Sequence, residues 1–138
     1  YDAGPADGTA LANVSARNHV GTGDGILIAG FVVAGPNKKH VLIRGVGPGL
    51  NFKFGLAGVL ADPQVTLYTS GGTPVTSNDD WSAALAGTFA RLGAFDLESG
   101  SHDAALLVAL DPGVYTAQVA GADGGTGEAL VEIYDADP

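Results

Sequence analysis

Apolar and polar positions alternate over short runs along most of this chain, and glycine, proline, asparagine and aspartate separate the runs. A period of two sends successive side chains to opposite faces of a strand, and the separating residues are those that tight turns need. Residues 9–16 read as a first strand, followed by the turn Gly21-Thr22-Gly23-Asp24-Gly25. Residues 26–34 are apolar at nearly every position, which predicts a strand buried on both faces or a central strand beneath a covering loop. Beyond Pro36-Asn37-Lys38-Lys39, residues 40–46 place Val41 and Ile43 on one face and Leu42 and Arg44 on the other. Residues 65–69 and 74–77 flank Gly71-Gly72 as a hairpin. Residues 103–110, 114–121 and 129–134 complete the set, joined at Asp111-Pro112-Gly113 and Gly124-Gly125.

Two stretches break the alternation. Residues 45–60 are a glycine-rich connection whose Leu50, Phe52, Phe54, Leu56 and Leu60 suggest a lid packed onto the body. Residues 82–92 carry a helical period, with Leu85, Phe89 and Leu92 on one face, Asp80 or Ser82 to cap the start and Gly93 to end it. The expected fold is all-β: an antiparallel β-sandwich or jelly-roll of about eight short strands with one short helix near residues 82–92. Residues 1–8 read as an N-terminal arm or linker, 9–135 as the sandwich domain and 136–138 as an exit linker.

Composition narrows the function classes. With 138 residues, 46% hydrophobic and 15% charged, the chain suits one folded domain rather than a disordered segment. The net charge of −9 argues against nucleic acid, whose phosphates need a basic face. The longest apolar run falls well short of the ~20 residues a membrane span needs. Cysteine is absent, which removes disulfides and thiolate chemistry. The absence of methionine, even at the first position, suggests a processed chain.

Three stretches carry a family likeness: Val20-Gly21-Thr22-Gly23-Asp24 with Ile28-Ala29-Gly30-Phe31; Val41-Leu42-Ile43-Arg44-Gly45-Val46-Gly47-Pro48; and Leu60-Ala61-Asp62-Pro63 with Leu67-Tyr68. On these the chain resembles a C-terminal β domain of large secreted proteins of planctomycete and verrucomicrobial bacteria. That resemblance implies export and no particular activity. The second half is similar to the bacterial pre-peptidase C-terminal jelly-roll. The matching pieces are Val65-x-Leu67-Tyr68, Gly71-Gly72, Ser77-Asn78-Asp79-Asp80 and Pro112-Gly113-x-Tyr115-Thr116. This second resemblance implies a companion of secreted enzymes, some relatives of which bind Ca²⁺ or insoluble polymers. The helix at 82–92 departs from it.

Among chemistry-bearing residues, Asn78, Asp79 and Asp80 form the most suggestive group. Hard oxygen ligands at a strand end suit Ca²⁺, the one cofactor these residues suggest, with further ligands to come from Asp24, Asp62, Asp103 or Asp123. An Asx turn capping the helix explains the same residues without a metal. Gly45-Val46-Gly47-Pro48-Gly49 lacks the Lys-Ser/Thr pair of a phosphate loop and reads as a structural turn. His19, His40 and His102 fall on separate elements, and Ser99, Ser101, His102 and Asp103 are too close in sequence to assemble a triad. Trp81 and Tyr1 are the aromatics expected to be exposed for ligand stacking, whereas Tyr68, Tyr115 and Tyr134 occupy strand positions. Leu11 and Val14 lie in an alternating segment suited to adding to a sheet edge, in a neighbour or at home.

The function expected from these features is a non-catalytic extracellular structural or assembly domain. It would serve as a self-assembling subunit of a bacterial surface fibre or as a repeat of a long surface protein. Its partners would be other copies or other surface proteins. The alternative is a polysaccharide- or protein-binding module, Ca²⁺-dependent or not, attached to a secreted enzyme.

Overall fold

The computed structural model describes residues 14–21 and 25–137. Eight strands form two four-stranded antiparallel sheets. They are β1 (Val14–Val20), β2 (Leu27–Val33), β3 (Lys39–Val46), β4 (Pro63–Thr69), β5 (Pro74–Asn78), β6 (Ala104–Leu110), β7 (Gly113–Gly121) and β8 (Gly127–Asp135). The first sheet has the order β1-β8-β3-β6 and the second β2-β7-β4-β5, a jelly-roll sandwich. Helix α1 (Pro48–Phe54) follows β3. A 3₁₀ turn (Ala83–Leu85) leads into helix α2 (Ala86–Leu92) between β5 and β6.

The alternating residues meet between the sheets. Val41 and Ile43 of β3, Val131 and Ile133 of β8, Leu67 of β4 and Val119 of β7 are fully buried there. Phe31 stacks on Tyr115 across the β2–β7 pair, with ring centroids 5.6 Å apart. A second apolar cluster lies on the outer side of the first sheet. Leu42 and Val46 of β3 meet Leu50 of α1, Phe89 of α2 and Leu97 of the following loop. Both helices therefore cover the first sheet, and β3 is the strand buried on both faces.

That role was expected of residues 26–34, and the structure corrects it. β2 alternates strictly: Leu27, Ala29, Phe31 and Val33 point inward, while Ile28 and Val32 are 53% and 54% exposed. Its outer face is apolar, and among the described residues neither helix packs on it. The first strand also differs from expectation, running from Val14 to Val20 and pairing Val14 with Ile133. Residues 9–13 lie outside the described part. The 45–60 connection contains helix α1, so the fold has two short helices rather than one near 82–92. Pro48 opens α1, where a missing N–H costs nothing, and Gly55 closes it at φ 70°. The 82–92 helix starts as expected, with Ser82 Oγ accepting the Ala84 N–H, and ends at Gly93 in the left-handed region. Ala136 and Asp137, expected as linker, stay packed: Ala136 is buried and donates its N–H to His40 O.

Arg44 is fully buried under the helices, directly opposite Glu132 in the β3–β8 register. Its Nε donates to Glu132 Oε1 at 2.8 Å and its Nη1 to Phe95 O at 2.7 Å. The other amino group sits 2.6 Å from Glu132 Oε1 as an ion pair, without hydrogen-bond alignment. Phe89 and Phe95 rings lie 4.7 and 4.4 Å from the guanidinium carbon. Tyr134 donates to Glu132 Oε2 at 2.7 Å, and burial, then that bond, pushes its phenol above its ordinary range.

Two substitutions test these two cores. Leu106→Ala opens a cavity between the sheets and should cost about 2–5 kcal/mol in urea denaturation. Glu132→Ala leaves the buried Arg44 charge uncompensated and should cost about 3–5 kcal/mol by the same measurement. An unchanged urea midpoint would show either side chain to be dispensable.

Candidate functional site

Three segments converge at one end of the sandwich: the residue before β4, the loop leaving β5, and the residues before β6. Asn78 closes β5 and braces the loop, its Nδ2 donating to Asp80 O at 3.1 Å and its Oδ1 accepting the Ala105 N–H at 3.1 Å. Trp81 N–H donates to Asp103 O at 2.9 Å and locks the loop against the next strand. These bonds turn the carboxylates of Asp79 and Asp80 away from strand geometry.

Asp80, His102 and Asp62 meet there. Their ligand atoms all lie within 4.8 Å of one another. His102 Nδ1 is 3.0 Å from Asp80 Oδ1, and both side chains are largely exposed. Asp62 Oδ1 is buried and has no hydrogen-bond partner in the protein. The hydrogen bond to Asp80, reinforced by the charges of Asp80 and Asp62, holds the His102 imidazole above its ordinary pKa. The same bond to His102 holds Asp80 below the usual carboxylate range, while the Asp80 charge beside it raises Asp79. Two carboxylates and an imidazole are a donor set for a Zn²⁺-like ion, whereas Ca²⁺ takes six to eight oxygens.

Asp80 joins the cluster and Asp79 stands beside it, but the Asn78 amide is committed at both ends to protein partners. Asp62, one of the expected further ligands, lies in the cluster, and His102 joins it. Asp103 is fully buried and serves the scaffold. Its Oδ1 accepts the Gly47 and Gly49 N–H groups at 2.8 and 3.0 Å, and its Oδ2 accepts the Ser101 hydroxyl at 2.6 Å. That explains the Gly45–Gly49 motif as a pinned turn: a Cβ at Gly47 would collide with Leu60 O. Asp123 Oδ1 accepts the Gly125 N–H at 2.9 Å within a turn, and Asp24 lies outside the described residues.

The three histidines each face a different carboxylate: His19 meets Glu128, His40 meets Asp137 and His102 meets Asp80. Trp81, expected as an exposed platform, is partly buried. Its ring tilts against Phe89 at 5.3 Å and its Nε1 donates to Ser101 Oγ at 3.2 Å. It borders a cleft of ≈ 300 Å³ with Phe89, Ala94, Phe95 and Leu97. Tyr1 and Leu11 lie outside the described residues. Val14 sits at the start of β1 in its home sheet.

A second feature went unread in the sequence. None of β2, β7, β4 and β5 contains an Asp, Glu, Lys, Arg or His. The outer face of that sheet presents Ile28, Val32 and Val114, each more than half exposed, beside Thr116 and Gln118. Summing charge strand by strand would have shown it.

In fold, the chain is similar to a pre-peptidase C-terminal domain. The solved domain comes from a collagenase of Bacillus anthracis, and the match has a TM-score of 0.53 over 88% of each chain at 14% identity. The likeness spans both halves rather than the second alone. No protein-family model and no curated protein matches the sequence. Among the described residues, no helix is long and apolar enough to cross a membrane.

The His102–Asp80 pair has a defined pH window. Because His102 is raised, its contribution is complete below its unfolded value near 6.5 and fades as pH rises through the higher folded value. Because Asp80 is lowered, its contribution holds above its unfolded value near 3.8 and fades as pH falls through the lower folded value. NMR titration should give His102 a midpoint above that of a free histidine, moving down in Asp80→Asn. A midpoint insensitive to that change would break the pairing.

Proposed function

We propose that this chain is a non-catalytic extracellular module that self-associates, as a structural unit of a bacterial surface assembly. The observation that carries the reading is the charge-free second sheet on a chain of net charge −9. Exposed sheets normally carry charges, which keep copies apart and guard strand edges. Here that protection is missing from one sheet, and its outward apolar residues are not scattered but adjacent: Val32 pairs directly with Val114. The fold agrees with a non-catalytic companion role in secreted proteins.

A second reading rests on the Asp62, Asp80 and His102 cluster: a metal-dependent module that holds a secreted enzyme on a polysaccharide or protein surface. The two readings separate experimentally. Sedimentation velocity from micromolar to near-millimolar protein should show mass rising with concentration. Added salt should strengthen the association by screening like charges over the ~10 Å Debye length. A monomer under all conditions would sink the assembly reading. Calorimetric heat on titrating Zn²⁺ or Ca²⁺ into that monomer, lost in Asp80→Ala, would then favour the metal-dependent module.

A further inference from the structure

Of the four strand edges in this sandwich, three are guarded. β1 carries Arg17 and His19. β5 has five residues, begins at Pro74, and faces a register shift in β4. β6 has its Ala105 N–H taken by the Asn78 side chain. β2 has none of these devices. It is seven residues long, ends the second sheet, pairs among the described residues with β7 alone, and contains neither charge nor proline.

We propose that the β2 edge pairs antiparallel with the β2 edge of a second copy, about a two-fold axis at Gly30. This rests on the self-association reading and names its contact. Gly30 is the middle residue of Leu27–Val33. A two-fold axis there sets Gly30 against its own copy, Ile28 against Val32, and the small Ala29 against the large Phe31. The Gly30 pairing lies on the axis and each of the others occurs twice, as an isologous contact requires. Among the described residues, the home domain gives no reason for a glycine at this place. Gly30 lacks a positive φ, and a Cβ would meet nothing nearer than Tyr115 O at 3.9 Å. Glycine inside a strand weakens it, and marks sites where another backbone comes close.

Charge and area set the strength of this contact. β1, which stands beside β2 in the other sheet, contributes Arg17 and His19 and no acid. The strand next to the β2 edge therefore adds no carboxylate of its own, and Glu128 beside it is faced by His19. A paired edge ~23 Å long and roughly 20 Å deep across both sheets covers on the order of 450 Å² per copy. That is about half of the ~800 Å² of a standard stable interface, so the dimer should be reversible and concentration-dependent. The result would be one continuous eight-stranded sheet with an uncharged face.

Charge reversal tests the register. Ile28→Lys with Val32→Lys sets like charges opposite each other at both outer pairs, and Ile28→Glu with Val32→Glu does the same. Both positions are exposed in the single chain, so circular dichroism should match the parent. Each double variant should sediment as a monomer where the parent dimerises, and an equimolar mixture should restore the dimer. Removing residues 1–13 should leave the parent dimer in place. If the parent associates but the lysine variant does so equally, or the mixture stays monomeric, the β2 contact is wrong while self-association stands. If removing residues 1–13 abolishes association, the partner of the edge is that segment and the two-fold contact falls. A parent that stays monomeric overturns both.

Discussion

The buried guanidinium of Arg44 decides which side of this sandwich is closed. Its fork is used by Glu132 on the adjacent strand and by the carbonyl of Phe95 in the loop after α2. Its two flat faces are used by Phe89 and Phe95. One side chain thus ties a strand, a helix and a loop together. Taking both ions out of water costs several kcal/mol each, so the pair itself adds little net stability. Stacking on desolvated rings contributes about 2 kcal/mol. The larger effect is positional, because Phe95 binds the guanidinium through both its carbonyl and its ring and so anchors the 93–97 loop. The neighbour across β3 on the other side is Ala105, small enough to leave that space open.

With the helical layer fixed on the first sheet, neither helix covers the second among the described residues. A jelly-roll has two outer faces, and this chain builds a second core on one of them from Leu42, Val46, Leu50 and Phe89. The ionisable residues of the strands follow the same division. Arg17, Lys39, Arg44, Glu128, Glu132 and Asp135 all belong to the first sheet. There Lys39 pairs across strands with Asp135 at 2.9 Å and Arg44 with Glu132 at 2.8 Å.

Alternation made most of the strands legible, because burial of one face imposes a period of two. It did not reveal which strand is covered on both faces. Ile28 and Val32 are apolar and exposed, while Arg44 is charged and fully buried, so polarity misleads at those positions. The inversion depends on partners distant in sequence: Glu132 is 88 residues from Arg44. Helix α1 hid among glycines, although Pro48 and Gly55 are ordinary start and stop signals. The metal-type cluster was half legible. Asp80 stood out beside Asn78 and Asp79, and Asp62 was one of four further candidates, but what brings Asp62 and His102 to Asp80 is the meeting of β4, β5 and β6 at one end. Asp103 shows the converse case. A carboxylate that looks like a ligand in sequence is consumed by backbone N–H groups of a turn.

The division of charge also bears on how a protein this acidic can touch a copy of itself. Fifteen acidic against six basic residues give a repulsive surface at any orientation that brings charged faces together. At physiological ionic strength that repulsion is screened beyond ~8 Å, so it acts mainly on approach to contact. An uncharged sheet removes it from one direction only. The same asymmetry limits promiscuity: an open strand edge attracts any extended chain, but the acidic remainder of the molecule disfavours acidic partners and crowded, random clusters. Arg44, by fixing the helices on the other sheet, is therefore coupled to surface behaviour that it does not touch. The bare sheet and the buried cation are two consequences of one choice of which face to close.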